Sequence, residues 1–397
     1  MFYVWCIILV YHDNGGQKMK IKEIKLYQLL MDMRNPFTTS FGTQQKRFIT
    51  IVEAIDEDGT SGFGECVSGE DPLYSEEFMD STLIALKKYF GPLVIGKEIS
   101  HPDEVWEIYK PFKRNNMAKA CIEGAVWDLY AKQKGITLAE ALGGKKTSVD
   151  VGVSLGIEDT DEALLEKIDE KVKEGYKRIK VKIKPGRDVD MIKSIREVYP
   201  DIPLMVDANS AYTLDDIETL KALDEFNLMM IEQPLMAGDL IDHAKLQKEI
   251  KTPVCLDESI DSYEAAAAAI EMGSCKIINV KVGRVGGLTQ SIKIHDLAEK
   301  HNIPLWCGGM LEAGVGRLHN VAITSLSNFT LPGDTASSSR YWFEDIITPE
   351  VVAENGTVTI SDKPGIGAEV DFDKMKQYLI KTETITADDQ LDMIMYN

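Results

Sequence analysis

Metal-binding motifs built on cysteine or histidine are missing from this 397-residue sequence. Its six histidines form no HxH or HExxH pattern and its six cysteines form no CxxC pair, so nothing indicates a site for a soft metal. The cysteines lie mostly inside apolar runs, which favours buried, reduced thiols in a cytoplasmic protein. They are Cys6, Cys66, Cys121, Cys255, Cys275 and Cys307.

Positive charge is also scarce. The 44 lysines and arginines are outnumbered by 64 acidic residues, which gives a net charge of −20. This balance argues against nucleic acid and anionic membranes as partners, and an anionic substrate would need cations close to its site. The apolar run Met1–Val10 is too short to span a bilayer. We expect residues 1–18 to be an N-terminal extension ahead of a first strand that begins near Met19.

Five ionisable residues recur at an almost constant spacing in the middle of the chain. Lys182, Asp207, Glu232, Asp257 and Lys281 are separated by 25, 25, 25 and 24 residues. Each ends a short apolar run and is followed by a helical pattern, which is the period of a repeated strand–helix unit. Parallel strands that close into a barrel would bring these side chains together at its C-terminal rim.

The whole chain divides into two parts on this interpretation. Residues 19–145 predict an α+β capping domain, completed by residues 366–397, and residues 146–365 predict a catalytic (β/α)8-type, TIM-like barrel. The predicted barrel strands are 149–155, 177–183, 203–207, 228–232, 253–257, 275–281, 303–307 and 329–333. The predicted helices between them are 160–174, 188–199, 213–226, 239–250, 262–272, 288–301 and 316–327.

Three carboxylates end successive predicted strands. Asp207, Glu232 and Asp257 would lie side by side and repel one another unless a cation neutralises them. An all-oxygen site of this kind suits Mg2+, or alternatively Mn2+. The simpler alternative is three unrelated acids that cap the following helices, and the identical spacing argues against it.

Lysines occupy the predicted rim on both sides of these acids. Lys180, Lys182 and Lys184 alternate with apolar residues, so a strand covered by helices would point the lysines into the barrel. Neighbouring ammonium groups and desolvation would lower the pKa of such a lysine towards that of a general base. Lys281 lies four strands further on, opposite Lys182. A metal flanked by two lysines suits removal of a proton α to a carboxylate.

The sequence resembles the enolase superfamily, specifically its muconate-lactonizing-enzyme-like subgroup, over residues 19–375. Within that subgroup the likeness is to enzymes that form o-succinylbenzoate and that also racemise N-acylamino acids. The motifs that carry the resemblance are Lys180–Gly186, Asp207–Asn209, Glu232–Pro234, Asp257–Ser259, Lys281–Gly287, Gly308–Glu312, Met117–Ala120 and Trp127–Leu129.

The resemblance implies a role for each rim residue. Asp207, Glu232 and Asp257 would bind Mg2+, and Lys182 would abstract the α-proton with Lys180 tuning its charge. Lys281 would stabilise the other face of the enediolate. Loss of hydroxide would then give o-succinylbenzoate, on the menaquinone pathway. A second proton exchange at Lys281 would make the same site an N-acylamino acid racemase.

Further positions are candidates for substrate binding or for ordering the site. The resemblance implies that Arg284 influences Lys281, although an exposed loop cation is the simpler interpretation. The other candidates are Ser154, Asn209, Glu258, Gly309 and Met310, and turn formation alone could account for each. The loop from Phe37 to Phe41 either closes over the pocket or packs permanently at the domain boundary.

Alternative functions stay open at this point. The main activity could be racemisation of N-succinylamino acids or muconate-type cycloisomerisation. A dipeptide epimerase is less favoured, because the predicted eighth strand leads into a single acid, Asp334. A non-catalytic carboxylate- or metal-binding barrel would not need two opposed lysines. The expected partners are a small carboxylate substrate and further copies of the chain.

Overall fold

The computed structural model of the protein describes residues 18–39 and 42–389. The predicted N-terminal extension lies outside the described residues except for Lys18, as does Cys6. Residues 40, 41 and 390–397 also lie outside them. Among the helices of the described segments, none has the length and apolar composition needed to cross a membrane.

Strands are numbered here in chain order over the described residues. They are β1 (Met19–Thr39), β2 (Gly42–Asp56), β3 (Ser61–Cys66), β4 (Glu98–Ile99), β5 (Ser148–Asp150), β6 (Val153–Ser154), β7 (Ile179–Lys182), β8 (Leu204–Asp207), β9 (Ile231–Glu232), β10 (Val254–Leu256), β11 (Ile277–Val280), β12 (Leu305–Cys307), β13 (Ile347–Thr348), β14 (Ala353–Glu354), β15 (Thr357–Thr359), β16 (Glu369–Val370) and β17 (Leu379–Ile385).

Helices are numbered in the same way. They are α1 (Met79–Ala85), α2 (Gly91–Val94), α3 (Asp103–Tyr109), α4 (Asn116–Lys134), α5 (Leu138–Ala141), α6 (Asp161–Lys173), α7 (Val189–Val198), α8 (Ile217–Ala222), α9 (Leu240–Glu249), α10 (Tyr263–Met272), α11 (Val282–Val285), α12 (Leu288–Lys300), α13 (Gly314–Ile323) and α14 (Phe372–Tyr378). A π-helical turn spans Leu86–Phe90, and 3-10 turns span Leu214–Asp216, Leu223–Phe226 and Ser338–Arg340.

The capping part is an antiparallel sheet in the order β17-β1-β2-β3, with α4 packed on it. Glycine allows that close packing, because a Cβ on Gly64 of β3 would lie 1.9 Å from the carbonyl oxygen of Cys121 on α4. The predicted loop that begins at Phe37 is strand as far as Thr39, where β1 pairs with Gly42 of β2. The side chains of residues 37–41, where a lid was considered, lie outside the described part.

The predicted barrel is present as seven parallel strands in the order β12-β11-β10-β9-β8-β7-β6. On the strands, apolar residues alternate between two faces. One set packs against the outer helices. The inner set forms a small plug at the centre of the barrel, and it consists of Met205, Met230, Cys255, Ile277 and Trp306.

Two predicted barrel strands differ from the structure. The predicted first strand, 149–155, is split into β5 and β6, and β5 pairs with β15 in a separate sheet. The predicted eighth strand, 329–333, is an irregular segment, in which Pro332 has no N–H to donate. The segment still closes the ring. Asp334 N donates to Cys307 O (2.8 Å) on one side, and Gly152 N donates to Gly333 O (2.8 Å) on the other.

The cysteine prediction is confirmed over the described residues. Their five cysteines are buried and unpaired. Burial raises the pKa of Cys255 and Cys307, which line neither the surface nor an exposed cleft. These thiols therefore act as small apolar groups in the core.

Candidate active site

The two lysines of β7 point into the barrel, as the alternation predicts. Lys182 Nζ donates to Asp207 Oδ2 (2.7 Å) and to Asn209 Oδ1 (2.6 Å). The parallel register of β7 and β8 places Lys182 directly beside Asp207. Lys184 lies beyond the end of β7 and is exposed, so the prediction that it also points inward is wrong.

Lys180 lies deeper, among three carboxylates. Its Nζ is 2.9 Å from Glu232 Oε2, 3.5 Å from Asp207 Oδ2 and 3.3 Å from Asp334 Oδ2. Burial opposes the charge of Lys180, but Asp334, Glu232 and Asp207 outweigh burial and raise its pKa well above the usual range. The prediction of a lowered pKa is therefore wrong for Lys180, because the acids around it exceed the cations.

The three rim acids differ in protonation because they differ in their cations. Burial disfavours the charge of Asp207, but Lys182 and Lys180 outweigh it and lower its pKa. Asp257 is likewise buried, and Arg284 and Lys281 lower its pKa. Burial and the neighbouring Asp207 charge raise the pKa of Glu232 to about 8. Glu232 is thus the acid whose charge the surrounding cations compensate least.

Asn279 on β11 joins two of these acids, and no sequence signal singled it out. Its Nδ2 donates to Glu232 Oε1 (2.7 Å) and to Asp257 Oδ1 (3.0 Å). Its Oδ1 is buried and has no hydrogen-bond partner. A side chain on Gly308 would collide with this amide, since a Cβ there would lie 2.4 Å from Asn279 Oδ1.

The donor chemistry of this group fits a hard divalent cation. Asp207, Glu232 and Asp257 offer carboxylate oxygens from three adjacent strands, and such cations prefer oxygen ligands. No set of three or more acidic, histidine or cysteine side chains in the described chain has the spacing of a metal site, however. Lys180 and Asn279 donate to Oε2 and Oε1 of Glu232, and the acids belong to an ion-pair and hydrogen-bond network. The metal-ligand roles therefore stay predictions.

Lys281 lies at the other end of the row of acids. Its Nζ is 2.9 Å from Asp257 Oδ2 and donates to the hydroxyl of Tyr74 (2.7 Å). Burial opposes its charge but Asp257 outweighs burial, so the pKa of Lys281 is raised. Arg284 binds the same two partners, at 2.7 Å from Asp257 Oδ1 and 3.0 Å from the Tyr74 hydroxyl.

Tyr74 comes from the capping part, so no spacing in the barrel sequence could point to it. Burial, and after it the charge of Asp257, raise the pKa of Tyr74. The hydroxyl therefore keeps its proton and can link Lys281 to Arg284. Arg284 is buried and does not line the cavity, which excludes the interpretation of an exposed loop cation.

Asp334 is a charged residue of the site that the sequence analysis did not include. Its carboxylate accepts from Arg178 Nη2 (2.7 Å) and from Ser154 Oγ (3.1 Å to each oxygen). The Arg178 guanidinium and the Lys180 ammonium each lie 4.8 Å from the ring centre of Trp306. Burial disfavours the charge of Asp334, but Lys180 and Arg178 outweigh burial and lower the pKa of this carboxyl group.

The remaining candidates have different surroundings. Asn209 donates to Glu258 Oε1 (2.9 Å), and burial followed by the Asp257 charge raises the pKa of Glu258 to about 7. Ser154, Gly309 and Met310 line the same cavity as the rim lysines, whereas Glu258 does not. Their contacts place all of them at the rim, and their roles stay predictions.

One cavity of about 520 Å³ connects these groups at the junction of the two parts of the chain. Lys180, Lys182, Asp207, Asp257 and Lys281 line it from the barrel. The capping part contributes the start of β2 and the segment from Gly69 to Ser75. No histidine is among the described lining residues, in agreement with the absence of a histidine base from the sequence pattern.

Comparison with known protein families supports the assignment of the fold. The model described as "Enolase C-terminal domain-like" matches residues 163–374. The model for the N-terminal domain of mandelate racemase and muconate lactonizing enzyme matches residues 21–143. The chain belongs to the enolase superfamily. The predicted family and fold class are thus confirmed, and enzymes of this family generally use a divalent metal.

Named relatives cover nearly the whole chain. An o-succinylbenzoate synthase of Geobacillus stearothermophilus is 55% identical over 360 residues, which are 91% of this chain and 96% of that protein. An N-succinylamino acid racemase of Thermus thermophilus is 46% identical, over 89% of this chain and 95% of that protein. A solved enolase-superfamily structure from Listeria innocua superposes with a TM-score of 0.91 at 40% identity, over 93% of this chain and all of that one.

Proposed function

We propose that the protein forms o-succinylbenzoate by Mg2+-dependent dehydration of a carboxylate substrate. The observation that carries the proposal is the position of the two lysines. Lys182 and Lys281 bind opposite ends of the row Asp207, Glu232 and Asp257, and both lysines line one cavity. A binding protein would not need two amines placed in this way. The relatives named o-succinylbenzoate synthase support the same activity.

Asp207, Glu232 and Asp257 would hold the cation in this proposal. A bound Mg2+ supplies Lewis-acid stabilisation to the carboxylate oxygens of the substrate as negative charge develops on them. Carboxylate ligands and a hard cation suit this task, and Mn2+ could replace Mg2+. Asn209 and Glu258 would order the carboxylates from behind, through the Asn209–Glu258 and Asn209–Asp207 hydrogen bonds.

Lys182 would act as the general base. Its ammonium now has Asp207 as counter-ion at 2.7 Å. When Asp207 holds the cation instead, Lys182 loses that partner and its amine is left to face the substrate. Lys180 would stay paired with Asp334 at 3.3 Å and would keep a positive charge beside Lys182.

Lys281 would keep its proton and stabilise the enediolate from the other face. Its partners Tyr74 and Asp257 fix the ammonium at the edge of the cavity. Departure of hydroxide from the enediolate completes a net loss of water. In this proposal the reaction belongs to menaquinone biosynthesis. The cytoplasmic location and the homo-oligomeric state remain predictions.

Racemisation of N-succinylamino acids is the second candidate, and the surroundings of Lys281 favour it. Arg284 and Lys281 share Tyr74 and Asp257, so the guanidinium charge acts directly on the proton affinity of Lys281. An amine on each face of the substrate allows a proton to leave from one side and return from the other. The racemase of Thermus thermophilus shares 46% of its sequence with this chain.

A dipeptide epimerase is disfavoured by the state of Asp334. A substrate ammonium would need an acid with spare charge at this position. Asp334 is already bound by Arg178, Lys180 and Ser154. Its capacity to bind a further cation is therefore small.

Replacement of Lys182 by alanine tests the proposed base. We expect the rate of o-succinylbenzoate formation to fall by ~10³-fold or more, because a positioned base contributes about 10²–10⁴ to the rate. Lys281→Ala should also abolish racemisation, while one enantiomer of an N-succinylamino acid still exchanges its α-proton in D2O. Synthase activity that survives Lys182→Ala would refute the assignment. The melting temperature of each variant shows whether the fold is retained.

A further inference from the structure

Arg47 on β2 is a buried cation that the proposed chemistry does not use. Only 5% of the residue is exposed, yet it lines the same cavity as Lys182 and Lys281. It comes from the capping part, whereas the lysines and the acids come from barrel strands. Arg47 therefore reaches the cavity from the capping part.

The guanidinium is held in place by neutral groups. Its Nη2 donates to the carbonyl oxygens of Val67 (2.6 Å) and Met310 (3.3 Å). These two carbonyls belong to the end of β3 and to the loop after β12, so Arg47 spans the junction of the two parts. Carbonyl oxygens orient the guanidinium but leave its positive charge without a counter-ion.

Arg47 forms no ion pair with a carboxylate of the described residues, and its Nε is buried without an acceptor. The nearest acids have other partners. Glu65 accepts from the backbone of Ala313 and Gly316, and Glu312 accepts from Met310 N and Asn320 Nδ2. Burial lowers the pKa of Arg47, an effect that Glu65 and Glu312 only partly offset.

A buried arginine without a counter-ion is unfavourable for the fold and favourable for binding an anion. A guanidinium presents parallel N–H donors that match a carboxylate in a bidentate pair. The acids that line the cavity do not fill this role, because none of them among the described residues forms an ion pair with Arg47. The α-carboxylate of the substrate belongs at the proposed metal site. An anion at Arg47 would therefore be a second group of the substrate.

We propose that Arg47 binds the second, non-reacting carboxylate of a dicarboxylate substrate. In the proposed function, on which this inference rests, that group is the terminal carboxylate of the succinyl chain. Arg47 thus selects succinyl over uncharged acyl groups of the same length. It is a residue for specificity and does not take part in proton transfer.

The test compares two ligands that differ only in this carboxylate. N-succinylglycine and N-butanoylglycine have acyl chains of the same length, and their binding to the Mg2+-loaded enzyme can be measured by calorimetry. We expect the succinyl ligand to bind at least ~10-fold more tightly to the wild type, the effect of one charge-assisted pair of about 1.5–3 kcal/mol. In Arg47→Met this preference should vanish, while binding of the butanoyl ligand changes by less than about 3-fold.

Kinetics of α-proton exchange add a second readout. Arg47→Met should raise KM for N-succinylamino acids and leave kcat within about 3-fold, since the lost contact is equal in ground state and transition state. Lys20→Met is the matched control. Lys20 lies on β1 of the same sheet, is paired with Glu57 at 2.8 Å and does not line the cavity, so its loss should leave the succinyl preference unchanged.

The outcomes separate this inference from the proposed function. Equal binding of both ligands by the wild type, or equal losses for both in Arg47→Met, would overturn the role of Arg47 and leave the synthase proposal intact. A succinyl preference without any turnover would support Arg47 and refute the proposed function. If Arg47→Met does not fold, Arg47→Lys decides, because a retained charge should preserve part of the preference.

Discussion

Buried carboxylates occur in two regions of this protein, and their partners differ. At the barrel rim, Asp207 and Asp257 are bound by lysine and arginine side chains. At the junction of the two parts, Glu65 accepts from the backbone N–H groups of Ala313 and Gly316, each at 2.8 Å. Glu123 accepts from the N–H groups of Leu288 and Thr289, also at 2.8 Å.

The partners determine the charge and the use of each acid. Backbone amides at the starts of α12 and α13 satisfy the oxygens but carry no full charge, so burial raises the pKa of Glu65 well above its usual range and that of Glu123 to about 7. Side-chain cations at the rim lower the pKa of Asp207 and Asp257. Ammonium groups can move aside for a metal or a substrate, whereas backbone amides cannot. The junction acids therefore fasten the cap to the barrel, and the rim acids remain available for chemistry.

The largest expected effect comes from replacing one buried carboxylate by its isosteric amide at the rim and one at the junction. Glu232→Gln should lower metal affinity and reduce turnover by ~10²–10³-fold, because a proposed carboxylate ligand becomes a neutral amide. The melting temperature should change little, because the amide oxygen can still accept from Lys180 and the new NH2 group can donate to Asn279 Oδ1, which has no partner, once the Asn279 amide turns over. Calorimetric Mg2+ titration and synthase assays measure the first effect, and thermal unfolding measures the second.

Glu65→Gln is the counterpart and should show the reverse pattern. The amide has one acceptor oxygen, so one of the two backbone N–H groups loses its partner, at a cost of about 1–3 kcal/mol in the free energy of unfolding. Turnover of the folded variant should stay within about 3-fold of wild type. If Glu65→Gln abolished turnover without a loss of stability, the distinction between the two regions would be wrong.

The regular repeat is the reason that so much of the rim could be predicted. Each strand–helix unit ends its strand at the same rim, so Lys182, Asp207, Glu232, Asp257 and Lys281 are brought into one network by the period alone. The repeat does not predict Asp334 as part of that network, because the eighth unit has an irregular segment around Pro332 in place of a strand. The regularity that predicts a rim position was absent there.

Residues supplied by the capping part could not be predicted at all. Tyr74 and Arg47 reach the cavity through packing between the two parts, and no local pattern encodes that packing. The predicted lowering of the pKa of Lys180 is wrong for a related reason. The spacing identifies the acids as metal ligands, but Glu232 also faces Lys180 at 2.9 Å and acts as its counter-ion.

A smaller effect on the free energy of unfolding is expected from replacing Gly287, which precedes the backbone N–H groups that bind Glu123. Gly287 has φ +121°, and a Cβ there would lie 2.4 Å from Glu123 Oε2. Gly287→Ala should lower the free energy of unfolding by about 2–3 kcal/mol, from backbone strain and from displacement of a fixed carboxylate. Gly273→Ala is the control, because Gly273 has φ +69° with open space around it, and its cost should be about 1 kcal/mol. Equal costs for the two variants, measured by urea denaturation, would mean that the Glu123 side chain can move without loss of stability. Glu123 would then not hold the cap to the barrel.

The smallest effect is a pH dependence of stability that comes from Glu123 at the junction. The pKa of Glu123 is about 7 in the folded protein, above the ordinary value of 4.5, so the folded state binds the extra proton. Its contribution to stability is complete below pH 4.5 and is lost as the pH rises through 7, by up to about 1 kcal/mol per pH unit between pH 5 and 7. Glu123→Gln lacks this proton, so the stability advantage of the wild type over the variant should shrink across that interval.

Glu140→Gln, at an exposed cap of α5, should show a far smaller change in urea denaturation at the same pH values. An advantage of the wild type that grew with pH would mean that Glu123 is ionised in the fold and that backbone amides alone suffice to hold its charge.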